Sequence, residues 1–323
     1  MKMRRAGSSG WLLMSLGLSL IAAPETVQAQ VKLEYKFREG QAQTYKSTVK
    51  TTQVLTLMGQ EIPTDATETI VSSQKVGAKR SDGTIPVEDK VESLAVELAL
   101  PMGIMISFDS KNPDNKVDNP QLAVIADIYK LISQVGYTVV LDAQNKVKAI
   151  EGAEKILEQA DKLNDAAKQS IRSRLDAQQL KKQFQESHGN LPDVLARKGE
   201  PWERDETLDI GSGQTLSFHK KYEYVGEEKK DGAMLDKIAV KTTEVKYAMD
   251  PNSPSPLKVI KSELKVDSGD GVMLFDREAG RVVSASNSTR IRGPMTFAAG
   301  GQEIPGELDL TISTTTELQP AGR

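Results

Sequence analysis

Cysteine is absent from all 323 residues. That removes disulfide scaffolds, thiolate zinc sites, iron–sulfur clusters and cysteine nucleophiles together, so the fold has to be held by its core. Histidine is nearly absent: His188 and His219 are the whole supply, too little for most triads and imidazole metal sites. No phosphate-cradling G-x-x-x-x-G-K motif occurs, and no block of basic residues stands ready to neutralise phosphates. The formal net charge is −3 with both signs interspersed, which argues against nucleic-acid binding. A long hydrophobic run is missing as well. The best is residues 11–23, thirteen residues, short of the ~20 needed to span a bilayer.

That run reads instead as an address. Lys2, Arg4 and Arg5 precede it, and Val27, Gln28 and Ala29 follow as a signal-peptidase recognition segment. Cleavage after Ala29 leaves 294 residues with formal charge −5, no transmembrane segment, and a periplasmic or extracellular destination. About 290 residues are enough to bury one large core or two modest ones.

The remaining chain changes period twice. Residues 31–38 alternate apolar and charged side chains at every step, the pattern of a half-buried strand. Residues 44–57, rich in Thr, Val and Leu, and residues 68–76 read as strands joined near Met58 and Gly59, with more strand at 94–100 and 104–108. From Asn119 the spacing turns helical: Asn119 caps, Pro120 opens, and Leu122, Ile125, Ile128 and Ile132 recur at three or four. Residues 137–141 and 147–150 read as a hairpin. One helix is expected over 156–175 and another from Asp176, which forms a capping box with Gln179. Strand grammar returns at 215–224, 234–247, 257–266, 271–275, 281–292 and 307–318. The expected fold is mainly β with a helical insert, α+β overall: antiparallel sheets forming a sandwich or open barrel in two related β-rich lobes. The expected divisions are 1–29 signal peptide, 30–118 first lobe, 119–199 helical insert with its hairpin, and 200–323 second lobe.

Some words recur. Gly-Gln-Glu-Ile-Pro stands at 59–63 and again at 301–305. Val76-Gly77 with Asp82-Gly83 matches Val225-Gly226 with Asp231-Gly232, each pair read as following one strand and preceding another. Phe108-Asp109 matches Phe275-Asp276. The last two echoes keep their order and the first does not, so copying of one unit and convergent turn chemistry both stand as readings. Taken together, residues 33–40, 108–110, 141–152, 222–226, 275–277 and 306–311, with Pro201 and Trp202, resemble a family of exported planctomycete proteins of unknown function. The resemblance implies an envelope protein and assigns no catalytic residue.

Candidate sites are few. His188, beside Gly189 at a helix end, suits an imidazolium on the C-terminal dipole, and His219 reads as a solvent-facing strand residue. Gly211-Ser212-Gly213 is shorter than a nucleophile elbow and reads as a turn. Asp109, Asp114 and Asp118 are weak calcium candidates without EF-hand spacing, opposed by Lys111 and Lys116; no other metal and no cofactor is expected. Trp202 either stacks on a sugar or anchors a strand in the core. Met58, Met102 and Met105 either line an apolar cavity or pack in the core. The leading function is a non-catalytic envelope module that binds an apolar small molecule or scaffolds a protein partner. The alternatives are an Asp/Glu-dependent hydrolase of envelope polysaccharide or peptide, and a structural protein that pairs through exposed strand edges.

Overall fold

Three two-residue turns set the longest hairpins. Met58 and Gly59 (φ 50° and 80°), Asp231 and Gly232 (51° and 86°), and Gly300 and Gly301 (56° and 81°) each put consecutive residues at positive φ. This is the I′ geometry whose twist matches the strands it joins. The turns connect β2 (Ala42–Leu57) to β3 (Gln60–Val76), β10 (Gln214–Lys230) to β11 (Ala233–Met249), and β14 (Arg281–Ala299) to β15 (Gln302–Leu318). The computed structural model describes residues 30–112, 120–211, 213–251, 253, 255 and 257–320.

The other elements are β1 (Gln30–Val31), β4 (Ile85–Leu100), β5 (Ile104–Asp109), α1 (Pro120–Ile132), β6 (Gly136–Leu141), β7 (Val147–Glu151), α2 (Glu154–Ala160), α3 (Asp165–Leu175), α4 (Ala177–His188), β8 (Ala196–Arg197), β9 (Pro201–Gly211), β12 (Lys258–Ser262) and β13 (Lys265–Asp276). Among the described residues, thirteen strands form a single sheet in the order β7-β6-β4-β3-β2-β15-β14-β13-β11-β10-β9, with β5 added to β4 and β12 to β14. Every pairing is antiparallel. The mainly β, α+β class is therefore the observed one, and it takes the open form. Strands from both ends of the chain join in it, because β2 pairs with β15 from Tyr45↔Leu318 to Leu57↔Gly306. No described helix is long and apolar enough to cross a membrane.

The sheet curls. β7 and β9 lie at opposite ends of the strand order, yet α4 packs on β7, and α3 touches β9. Arg204 of β9 donates from Nε to Gly189 O at 2.8 Å, just beyond α4. One helical layer thus meets both terminal strands. Asp176 caps α4 by accepting from Gln178 N and Gln179 N at 2.8 and 2.9 Å, as expected, but its own N donates to Arg172 O at 3.2 Å, so the expected capping box with Gln179 is not closed. The single helix expected over 156–175 is two, because Asn164 accepts from Ala167 N at 3.0 Å and starts α3 afresh. Val135, Ile156, Ile171 and Leu180 form the core of this layer.

Residues 32–38 correct another expectation. Their alternation is real, with Val31 and Leu33 buried, but they join no ladder. They form an extended strap: Leu33 and Tyr35 pack around Phe275, and Phe37 packs with Phe184. Alternation reports an extended chain with two different sides and says nothing about hydrogen-bonding partners. The strap is pinned where Lys36 N donates to Gly280 O at 3.0 Å. Gly280 has φ +68°, and a Cβ there would stand 2.4 Å from Lys36 Cγ and 2.6 Å from Lys36 N. Gly280→Ala should therefore lift the strap at a cost of about 2 kcal/mol. Hydrogen exchange should show lost protection confined to residues 31–38; unchanged exchange there would refute the pinning role.

The repeated words resolve unevenly. Both Gly-Gln-Glu-Ile-Pro copies start at the second turn residue and run into the return strand, β3 or β15, and these two strands flank β2. The Val-Gly echo is not equivalent: Gly77 follows β3, whereas Gly226 lies inside β10 at a register shift.

Candidate functional site

Side chains of one strand alternate between faces, and the packing fixes which face is which. Leu55 and Leu57 of β2 meet Ile291, Leu308 and Leu310, so the odd-numbered residues of β2 point to the inner side of the curl. Register carries one inner-face row across the sheet through Val240, Gly271, Asn287, Thr314, Val49 and Glu68.

That face is sealed by the strap over Ile238, Val240 and Phe275, by Phe37 and Phe184 over Val76 and Val87, and in two further places. Toward the hairpin-tip end, Leu216, Phe218 and Val245 of β10 and β11 fold over Ile291, Met295 and Phe297. On the other flank, α1 brings Tyr129 and Ile132 onto Leu94, Val96 and Phe108. Between them the face is open. No residue of β2 is fully buried, although β2 has five strands on one side and seven on the other. Its inner residues, with Ile62, Ala66 and Leu98 of β3 and β4, are half-buried. The floor of this trough grades from Leu57, Leu55 and Ile62 near the turns to Thr51, Ser47, Glu68 and Tyr45 farther in. Burial pushes the Glu68 carboxyl up, partly offset by the Arg174 guanidinium of α3. Burial also pushes Asp89, which is hydrogen-bonded to Gln74, up to about 6. Gln43 Nε2 donates to Gln74 Oε1 at 2.7 Å, extending that polar chain across three strands.

A cleft of about 230 Å³ lies between α4 and β9, lined by Lys182, Gln185, Glu186, Arg204, Asp205 and Glu206 among others. Burial raises the Glu186 carboxyl, Lys182 opposing. Glu206 accepts from Lys220 and from the Tyr222 hydroxyl, and Asp205 meets His219 Nδ1 at 2.8 Å.

With this geometry in view, the family can be stated. A family model described as a family of unknown function, DUF6263, matches residues 82–252. The chain belongs to the DUF6263 family. The match spans β4 to β11 with the helical layer, and leaves β2, β3 and β12–β15 outside it. No curated protein matches the chain. Among solved structures, lipovitellin, in a study of lipid–protein interactions, overlays with TM-score 0.45 at 10% identity, covering 89% of this chain and 26% of that one. The chain thus spans about a quarter of lipovitellin's length. An outer membrane channel from Pseudomonas putida F1 gives TM-score 0.20 at 8% identity, covering 92% and 99%. A DUF1329 family protein from Desulfovibrio piger ATCC 29098 gives 0.14 at 11%, covering 82% and 83%.

Several residues singled out from sequence take other roles in this family member. His188 ends α4 but is not an imidazolium there. It stacks on Phe184 at 4.0 Å, lies edge-on to Tyr35 at 4.8 Å, and is held down to about 4 by burial. Enclosure among rings outweighs the helix dipole. His219 does face outward, and its hydrogen bond to Asp205 raises it. Trp202 anchors β9, stacked on Tyr222 at 5.8 Å with Nε1 donating to Asn190 O at 2.8 Å. The methionines neither line a cavity nor pack in the core: Met58, Met102 and Met105 are 78%, 93% and 68% exposed. Met58 and Met102 occupy positive-φ turn positions, and Met105 is on the outer face of β5. Asp109 is exposed, with Oδ1 accepting from Lys111 N; Asp114, Asp118, Asn119 and Ser212 lie outside the described residues. Among the described residues, no group of three His, Asp or Glu is placed to hold a metal. Glu68 and Asp89 were missed. Their only signal is a carboxylate at the apolar parity of a strand.

Proposed function

We propose that this protein is a non-catalytic binding module of the cell envelope whose trough receives the apolar body of an amphipathic small molecule. The observation that carries the reading is β2, a strand deep in the sheet with no sealed side chain, lying between two regions where the same inner face is packed shut. An uncovered, concave, partly apolar face is what a ligand site of this kind requires. The helical layer against both β7 and β9 favours a small molecule over strand-edge pairing with an envelope protein. Export rests on Lys2, Arg4, Arg5 and the apolar residues 11–23, and the resemblance to exported planctomycete proteins belongs to the same proposal.

A fluorescent long-chain probe tests it. Saturable micromolar binding is expected, and Ala66→Trp, which fills the floor, should weaken it by about tenfold or more. Val54→Trp, on the outer face of β2, should leave affinity unchanged. Absence of saturable binding, or equal effects of the two substitutions, would overturn the proposal. One observation favours a second reading, an Asp/Glu-dependent hydrolase: the raised Glu186 carboxyl beside Glu206 in the α4–β9 cleft. Hydrolysis of an envelope polysaccharide or peptide that disappears in Glu186→Gln would establish it.

A further inference from the structure

Among the described residues, four other than glycine have positive φ: Met58, Met102, Asn145 and Asp231. Asparagine and aspartate tolerate this conformation, and methionine does so poorly. Packing gives no reason for the two methionines either, since they are 78% and 93% exposed. Each breaks local rules twice, as an apolar side chain in solvent and as a strained residue in a turn. Such departures cluster where a surface has a use.

Register shows how the turns are arranged. The last pairs before three neighbouring turns are Leu100↔Ile104, Leu57↔Gln60 and Ala299↔Gln302. Ala99↔Asp65 and Asp65↔Thr52 put Leu100 level with Gln53, four residues short of Leu57. Leu57↔Gly306 puts Leu57 four residues short of Gln302. Equal steps between turns two strands apart set all three on one straight edge, slanted to the strands. Other exposed apolar side chains gather at the same end: Met105 on β5, Leu208 and Ile210 at the end of β9, and Ile260 on β12. Met234, also exposed, starts β11 at the opposite end.

We propose that this edge docks on the surface of a lipid bilayer, with Met58 and Met102 as the side chains that enter it. A straight row of turns suits a planar partner. Methionine is flexible and polarisable, and adapts to a fluid apolar phase. Charge selects the kind of bilayer. Residues 57–65, 97–105 and 299–307 contain Glu61, Asp65, Glu97, Glu303 and Glu307 and no lysine or arginine. The edge therefore has no attraction for anionic lipid, and the surface it fits is zwitterionic. Continuity with the trough favours lipid over protein, because Leu57, Leu55 and Ile62, its apolar end, lead directly into the Met58 turn. Docking holds that end against a source of amphipathic molecules; this supply role rests on the trough reading, and the docking does not.

The absence of cysteine makes a clean test. Met58→Cys, Met102→Cys and Met234→Cys each give the full chain one site for an environment-sensitive fluorophore. Phosphatidylcholine vesicles should shift the emission to the blue at 58 and 102 and leave it unchanged at 234. The comparison with 234 sets aside attachment through the apolar residues 11–23. With the label on Met105→Cys, Met58→Asn combined with Met102→Asn should weaken the vesicle response by about tenfold or more. Asparagine suits positive φ better than methionine, so the thermal midpoint of that variant should hold or rise, which separates lost docking from lost folding. Adding phosphatidylglycerol to the vesicles should weaken the response at low salt, and raised salt should restore it. Equal shifts at 58 and 234, or a response that requires phosphatidylglycerol, would overturn the inference. So would a dimer that the paired asparagine substitutions dissolve while vesicles have no effect, which would assign the edge to a second copy of this chain. No shift at 58 or 102 alongside saturable binding of the long-chain probe would overturn the docking and leave the trough standing. Shifts without probe binding would support the docking and overturn the trough.

Discussion

Replacing Asp89 with asparagine is expected to make the protein gain stability steadily as pH rises from about 4 to about 6.5, over a window where the unmodified protein stays nearly level. Two half-buried groups set this up with opposite signs. The folded pKa of Asp89 is raised from 3.8 to about 6. Its favourable contribution is fully present below the unfolded value and is lost as pH climbs through 6, because the folded form retains a proton that the unfolded chain gives up. The folded pKa of His188 is lowered from 6.5 to about 4. Its contribution is present above 6.5 and lost as pH falls through 4, because the unfolded chain takes a proton that the folded form refuses. At about 1.4 kcal/mol per unit, reduced for partial exposure, each effect is worth about 2 kcal/mol. In Asp89→Asn the His188 slope is no longer offset by Asp89, and stability at pH 7 rises by about 2 kcal/mol. In His188→Gln the Asp89 slope is no longer offset by His188, so stability falls as pH rises, whatever uniform loss the missing ring contacts add. Urea midpoints at half-unit intervals from pH 4 to 7 read both slopes. A level profile in Asp89→Asn would refute the assignment.

The second large effect is mechanical. Phe275 of β13 is 0% exposed, and its ring meets Tyr35 of the strap edge-on at 5.5 Å. Around it gather Leu33 from the strap, Leu191 and Ala196 from the segment after α4, Tyr222 and Tyr224 from β10, and Ile238 from β11. Tyr35 is itself tied to Asn190 Oδ1 at 3.0 Å. Phe275→Ala should cost about 4 kcal/mol from lost burial and the cavity left behind, of which the aromatic pair supplies about 1 kcal/mol. Against a total of roughly 5–15 kcal/mol for a folded domain, that is a large share. Chemical denaturation should show it as a lowered midpoint, and residues 31–38 should lose exchange protection along with it. Phe275→Leu, which keeps most of the volume, should lose less than half as much. Equal losses in the two variants would show that cavity formation is not the cause.

Legibility from sequence follows the range of the interaction. The turn at Met58-Gly59 and those at Asp231-Gly232 and Gly300-Gly301 are written locally, since two residues must tolerate positive φ. The Asp176 cap is equally local. The sequence marks β9 only at its start, by Trp202, because its inner positions include Arg204 and Glu206, which break the apolar alternation. Those charges are accommodated by partners far off in sequence or on the next strand: Gly189 O and Leu191 O for Arg204, Lys220 and Tyr222 for Glu206. The trough residues were hidden for a related reason. Glu68 looks like any strand carboxylate, and Asn287 like any strand asparagine, until their row is known.

The chain by itself determined the secondary grammar: pleated segments near both ends, a helical middle, tight glycine turns, no thiol chemistry and almost no imidazole chemistry. Those properties depend on each residue and its near neighbours. Only the tertiary structure decided that β2 and β15, more than 240 residues apart, lie side by side and join both β regions into one curled sheet. It also decided that the middle of that sheet stays uncovered. Alternating side chains specify which face a residue takes, whereas the backbone donors and acceptors that choose a neighbouring strand are the same at nearly every position.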